Sequence, residues 1–207
     1  MNPLTIREEA ELEGYIYFDK HIRLLPRKSD GSINTMQPGF QHNDVDAFRH
    51  AYVSGIFMHK YGEKVASLLG WINEYWSDSV YDRNMDLWNN KVGRELACNH
   101  KTKEALADAI KDALQDGKLI IRLSDERVYK GAAIPKPEGD RSIIVLKESP
   151  TGVNELFFDF NNSATMTRNE FVSAIVGDKY PGYTIRRING VDYPVSKRDG
   201  KDTNNLG

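Results

Sequence analysis

The apolar residues of this chain change their spacing once, at Gly117, and that change constrains the fold more than any other feature of the sequence. Between Asn43 and Gly117 they recur at helical intervals. Beyond Gly117 they gather into short β-branched runs bounded by turn residues. An α+β architecture follows: an N-terminal helical layer of about four helices, then a smaller β-rich part ending in a hairpin. The boundary divides the chain into a mainly helical part, 1–117, and a β-rich part, 118–207, which would together make one compact unit.

Residues 1–41 carry Pro26, Gly31, Pro38 and Gly39 and read as an irregular lead-in with room for one short helix or strand. Asn43 or Asp44 can cap a helix running to Tyr61, where Gly62 ends it. A second helix should start near Glu63, with Val65, Leu68, Leu69, Ile72 and Trp76 on its apolar face and Ser67, Gly70 and Glu74 opposite. A third should cover Asp82 to Cys98 and bury Met85, Trp88, Val92 and Leu96. A fourth should cover Lys103 to Asp116. Lys118–Ser124, Ser142–Lys147 and Glu155–Phe160 read as strands. Thr167 and Glu170 match a capping box for a helix through Val176. Asn189-Gly190 between Tyr183–Ile188 and Val191–Val195 is the clearest hairpin in the chain, because Asn-Gly accepts the two positive φ angles of a tight turn.

Composition narrows function only by exclusion. The net charge of −2 supplies no overall field for nucleic acid. No apolar run approaches the roughly 20 residues of a membrane span. The N-terminus lacks the basic-then-apolar pattern of a secretory signal. Cys98 is the only cysteine, so no internal disulfide forms; it reads as a buried thiol. The Cys98/His100 spacing points the two side chains apart and makes no catalytic pair. Phosphate loops, zinc ribbons, serine elbows and zinc-protease helices have no match.

The polar residues are more telling. The stretch His42-Asn-Asp-Val-Asp-Ala-Phe-Arg-His50 packs ionisable groups into the first turns of a helix. Asp46 and His50 are four apart and share a face, with Arg49 beside them. An Asp/His pair at that spacing can share a divalent metal, or the acid can fix the imidazole tautomer; His42 or Asp86 would complete a metal site. It is equally well explained by Asp44 and Asp46 as first-turn acids favoured by the helix dipole, with His50 a satisfied core histidine. Arg49 suits phosphate or carboxylate recognition, or a salt bridge to Asp46 or Glu74. Glu74, set among Trp71, Tyr75 and Trp76, is either an acid/base group of raised pKa or a solvated side chain. Asp86 and Asn90 form a second i, i+4 pair, with Gly93 near the same face to allow close packing or a ligand.

Asp46-Ala-Phe-Arg-His-Ala-x-x-Ser54, Gly62-x-x-x-Ala66, an acid at 74 and Met85-Asp-Leu-x-Asn-Asn-x-x-Gly-Arg94 together resemble a bacterial domain of secreted proteins and polymorphic toxins, including Rhs-type and type VI effectors. The resemblance covers roughly residues 42–97. The ending from Tyr180 to Gly207 is more weakly similar to effector tails. Histidine often stands in that pattern where this chain has Asn73 and Trp88, which leaves a metal fewer ligands here. The resemblance implies an antibacterial effector: a hydrolase, acid/base or metal-assisted, acting on the envelope or periplasm of a competing bacterium. Its site residues would be Asp46, Arg49, His50, Glu74, Asp86 and Asn90, with Asp46 and His50 as metal ligands. The chain would be made in the cytoplasm, exported without a signal peptide through a secretion apparatus, and neutralised by a cognate immunity protein. A nuclease toxin is one alternative. The other is a non-enzymatic interaction module whose Asp–Arg–His cluster is a packing network.

Overall fold

The computed structural model describes residues 3–74, 79–131, 142–149, 151–159, 161–162, 164–198 and 206. These residues form six helices and five strands in the expected α+β order. The chain divides into two units, 3–133 and 134–207.

The helical unit begins with a 19-residue helix, α1 (Pro3–His21), where the sequence suggests an irregular lead-in. Its buried stripe is Ile6, Ala10, Gly14 and Phe18, a clean i, i+4 row. The two small residues disguise the row, and Gly14 is there because a Cβ would lie 3.3 Å from the ring of Tyr52. After an irregular segment come α2 (Asp44–Tyr61), α3 (Glu63–Glu74), α4 (Val80–Asn99) and α5 (Lys103–Gln115). Asn43 caps α2 by accepting from the N–H groups of Val45 and Asp46, and Gly62 closes it at φ 81°. The expected Trp76 of the α3 face lies outside the described residues. Ser79 caps α4 and Thr102 caps α5.

α2 and α4 pack most closely. A Cβ on Gly93 would lie 1.9 Å from the carbonyl oxygen of Ala51, and Gly55 faces the carbonyl of Gly93 across the same crossing. Glycine at 93 is therefore a packing requirement between backbones. The buried face of α4 is not the expected one. Trp88, Val92 and Leu96 are only partly buried, whereas Asp86, Asn89, Asn90, Gly93 and Arg94 are buried with Met85 and Ala97. The helix turns its polar stripe toward α2. Cys98, expected to be buried, is exposed in the last turn of α4, beyond the buried face that ends at Ala97.

Lys118–Ser124 forms no strand and belongs to the helical unit. Several of its backbone groups bond side chains where a strand would bond a neighbouring strand, while Lys118 N–H donates to the carbonyl of Ala113. The Asn89 side chain accepts from Ile120 N–H and donates to Ile120 C=O, both at 2.9 Å, in a fully buried clamp. Trp88 donates to Lys118 C=O, and Arg127 donates to the carbonyls of Gly117, Lys118 and Leu119.

The second unit has an antiparallel three-stranded sheet, β1 (Ile143–Glu148), β2 (Asn154–Asp159) and β3 (Ala164–Thr167), in the order β1-β2-β3. The helix α6 (Arg168–Val176) follows, with the complete Thr167/Glu170 capping box. The hairpin β4 (Tyr183–Ile188) and β5 (Val191–Ser196) turns at Asn189, φ 50°, and Gly190, φ 80°. Phe157, Phe171 and Tyr183 centre its core. Phe160, the end of the expected strand from Glu155, and most of the residues after 198 lie outside the described residues.

Candidate functional site

The cap of α2 sets up the site. His42 takes φ 55°, and its backbone N–H donates to Asp46 Oδ2 at 2.8 Å, which fixes one edge of that carboxylate. The other edge accepts from Arg49 Nη2 at 2.6 Å. The same Nη2 lies 2.6 Å from His50 Nε2, and Arg49 Nη1 donates to Glu11 of α1 at 3.0 Å. A guanidinium has only donors, so Nε2 accepts and the neutral imidazole carries its proton on Nδ1. Arg49 therefore pairs with Asp46 and Glu11, and its salt bridge is not to Glu74.

The other two helices close the ring. Glu74, in the last turn of α3, places Oε1 3.5 Å from His50 Nδ1. Asp86 of α4 places Oδ1 3.3 Å from His50 Nε2, and Asn90, one turn on, hydrogen-bonds the imidazole. Glu74 and Asp86 hydrogen-bond each other. Asp46, His50, Glu74, Asp86 and Asn90 thus converge, each only 3–6% exposed. Of the flanking aromatics expected around Glu74, Tyr75 and Trp76 lie outside the described residues.

Burial dominates the electrostatics. It drives the His50 pKa well below the ordinary histidine value, and the positive charges of Arg49 and Arg7 push the same way against the Asn90 bond. Burial also raises both acids of the facing pair. Asp86 is pushed up to about 10 by burial and by the neighbouring Glu74. Glu74 is raised by burial against the opposing effect of its bonds to Asp86 and Asn73. One proton between these two carboxyls explains how they can touch. The site thus presents an imidazole biased to its neutral form, two facing carboxyls biased toward sharing a proton, and an Asp46–Arg49 ion pair.

The cluster is the middle of a longer polar seam. On α2 the positions are Asp46, His50 and Ser54, with His42 four residues earlier, just ahead of the helix cap; on α4 they are Asp82, Asp86, Asn90 and Arg94. Each series advances four residues at a time, so each forms one stripe. His42 meets Asp82 at 2.7 Å at the exposed end, and Ser54 accepts from Arg94 at 3.2 Å at the other. The two helices therefore run in the same direction. Arg94 continues to Glu63 of α3 at 3.1 Å. Gly70 of α3 leaves room for Asn90, whose amide nitrogen would lie 3.2 Å from an added Cβ.

His42 lies outside the converging group, because its ring is spent on Asp82. Asp44 faces Arg23. His100 Nδ1 bonds the carbonyl of Leu96, away from any thiol chemistry. Trp88 points to the 118–127 segment, so that position does not reach the cluster. Asn73 does reach its edge, donating to Glu74 at 2.8 Å and accepting from Arg7. Sequence reasoning missed Glu11 and Arg7, since nothing local marks α1 as a wall of the site. It also missed that Ser54 and Arg94 extend the seam, although both stand in the motifs quoted above and share its four-residue spacing.

Three atoms here could ligate a metal ion: an Asp46 carboxylate oxygen, a His50 ring nitrogen and an Asp86 carboxylate oxygen, all within 4.8 Å of one another. A family model described as a domain of unknown function (DUF6973) matches residues 30–118. That segment holds all six expected site residues and excludes both α1 and the second unit. No curated protein matches the chain, and no solved structure does.

Proposed function

We propose that the helical unit carries the active site of a hydrolase, and that the chain is an antibacterial effector acting on the envelope of a competing cell. The observation that carries the enzymatic reading is the convergence of Asp46, His50, Glu74 and Asp86 from three helices into one buried cluster. Burying so many ionisable groups costs several kcal/mol per ion that an apolar core would not incur, and such clusters concentrate at functional sites. His50 would act as the general base or as a metal ligand, held by Asn90 and flanked by Asp46. Arg49 would stabilise negative charge developing on the substrate, and Glu74 or Asp86 would donate the proton to the leaving group. The effector part of the reading rests on the motif resemblance. The near-neutral charge favours an envelope target over nucleic acid.

One observation favours a second reading. The 3–6% exposures describe a closed cluster, as expected of a polar network that specifies how α2, α3 and α4 pack. Expression in a susceptible bacterium, with and without a periplasmic export signal, separates the two. The hydrolase reading expects growth arrest in the periplasm, abolished by His50→Gln in a chain that remains folded by circular dichroism. No arrest in either compartment, or full toxicity of the folded variant, overturns it.

A further inference from the structure

We infer that Asp46, His50 and Asp86 form a binding site for one divalent transition-metal ion, a step that rests on reading this cluster as a functional site. The case is one of three acceptors served by a single donor group: Arg49 Nη2 reaches Asp46 Oδ1 and His50 Nε2, and no described donor reaches Asp86 Oδ1. His50 Nε2 presents a lone pair, since its other close neighbour is a guanidinium that can only donate. Asp86 Oδ1 faces it at 3.3 Å and is a buried oxygen with no hydrogen-bond partner among the described residues. Asp46 Oδ1 lies 3.6 Å from the same nitrogen. A cation binding among these three atoms would take the place of Arg49 Nη2 and displace the proton held between Glu74 and Asp86.

The spacing suits a metal. Two ligand atoms each ~2.1 Å from an ion and about 109° apart lie ~3.4 Å from each other. The two separations from Nε2, 3.3 and 3.6 Å, bracket that value. A set of one imidazole and two carboxylates suits Mn²⁺ or Zn²⁺ better than Ca²⁺ or Mg²⁺, which take oxygen alone. Three protein ligands leave positions for water, as a metal-assisted hydrolase needs. Glu74 stands on the Nδ1 side of the imidazole and Asn90 hydrogen-bonds the ring, so both orient it.

Arg49 stands in for the ion. Its Nη2 is 2.6 Å from both Asp46 Oδ1 and His50 Nε2, the two atoms the metal would take, while Nη1 is already held by Glu11. Metal binding displaces Nη2 and leaves Arg49 on Glu11. The guanidinium and the metal compete, so removing the guanidinium should tighten binding, which a purely structural arginine would not do.

The test uses the full chain, stripped with chelator and titrated with MnCl₂, followed by electron paramagnetic resonance and calorimetry, then repeated with ZnCl₂. One ion should bind per chain. Asp86→Asn should weaken binding at least tenfold, and Arg49→Met should strengthen it at least tenfold. Asp82→Asn, at the outer end of the seam, should leave it unchanged. Circular dichroism of each apo variant checks folding; should Arg49→Met fail to fold, Arg49→Gln replaces it. Absence of submillimolar binding of either ion, or equal affinity in Asp86→Asn, overturns the site. The two proposals fail separately. A toxic chain that binds no metal keeps the hydrolase and loses the ion, and a harmless chain that binds one Mn²⁺ keeps the ion and loses the hydrolase.

Discussion

Replacing Gly93 with alanine should separate α2 from α4 and disrupt the polar seam with them. The added Cβ would sit 1.9 Å from Ala51 O, 2.5 Å from Ala51 C and 2.7 Å from Ala51 Cα, all backbone atoms that no rotamer change can move. Ordinary contact needs ~3.4 Å or more, so the helices must part by about 1.5 Å at the crossing. A radial gap of that size forfeits half or more of each dispersion contact along the interface. Overpacking of this kind costs ~1–3 kcal/mol, and here the obstacle is backbone, so the upper end or beyond applies. Alanine returns ~1 kcal/mol through helix propensity. A net loss of about 2–4 kcal/mol is expected. The parting also takes the 3.2 Å Ser54–Arg94 bond out of reach. Urea unfolding followed by tryptophan fluorescence reads this unit alone, because Trp71, Trp76 and Trp88 are the only tryptophans in the chain. Gly70→Ala is the internal comparison, since its Cβ meets side chains and no backbone, the Asn90 amide nitrogen at 3.2 Å and Arg94 Nη1 at 3.6 Å, and should cost less than Gly93→Ala. A Gly93→Ala midpoint equal to or above wild type at unchanged m would refute the close-packing argument.

Asn89→Ala should destabilise the helical unit by ~2–4 kcal/mol, because it strands both backbone groups of Ile120 in a buried position; a loss below ~1 kcal/mol in the same urea assay would contradict the clamp. The raised pKa of Asp86 means that the folded state keeps a proton the unfolded chain releases near pH 4. In metal-free buffer its contribution is fully present below that pH and is lost as pH rises toward 10, at up to ~1.4 kcal/mol per pH unit. Asp86→Asn should therefore gain on wild type steadily between about pH 5 and 9, and parallel stability curves would show that Asp86 is not protonated. In the second unit the sign reverses. Burial raises the Asp159 pKa, but Ser142, Tyr180, Asn161 N–H and Asn162 outweigh it and hold the group below its ordinary value. That stabilisation is present above about pH 4 and is lost as pH falls through the lowered folded pKa. Asp159→Asn should flatten the acid-induced loss of amide protection in β1 and β2, and identical exchange profiles in the two proteins would count against the reading.

Local signals were legible wherever the responsible residues lie close in sequence. The Asn43 cap, the Gly62 stop, the Thr167/Glu170 box and the Asn189-Gly190 turn each depend on neighbours within four residues, and each stands as read. The four-residue spacing also placed Asp46 with His50 and Asp86 with Asn90. What the sequence hid depends on which surface a helix buries. α1 buries a stripe diluted by Ala10 and Gly14, so its periodicity is faint although its packing is tight. α4 offers two stripes, one with Trp88, Val92 and Leu96 and one with Asp86, Asn90 and Arg94. Hydropathy favours the first, whereas the close approach at Gly93 and Ala51 selects the second. Lys118–Ser124 has strand composition, but side chains of α4 and Arg127 take its backbone groups.

The choice of stripe on α4 links stability to chemistry. A helix that buries its polar side must recover the desolvation cost elsewhere, and here the apolar burial comes from α2, through Val45, Phe48 and Tyr52, and from the small residues that let the helices touch. The close crossing in turn sets the distances of the seam, since Gly93 lies one residue before Arg94 and three after Asn90. Within that seam the ion pairs differ in kind. His42–Asp82 and Arg94–Glu63 each have a partner in contact with solvent and need no further charge. Between them, Asp46, Glu74 and Asp86 place three acids around one imidazole, and among the described residues the cation touching both Asp46 and His50 is Arg49, itself shared with Glu11. A network built only to join helices would be expected to finish with donors and acceptors matched. Among the described residues this one leaves Arg49 Nε and Asp86 Oδ1 buried and unmatched at its centre, next to the atoms best placed to take a ligand.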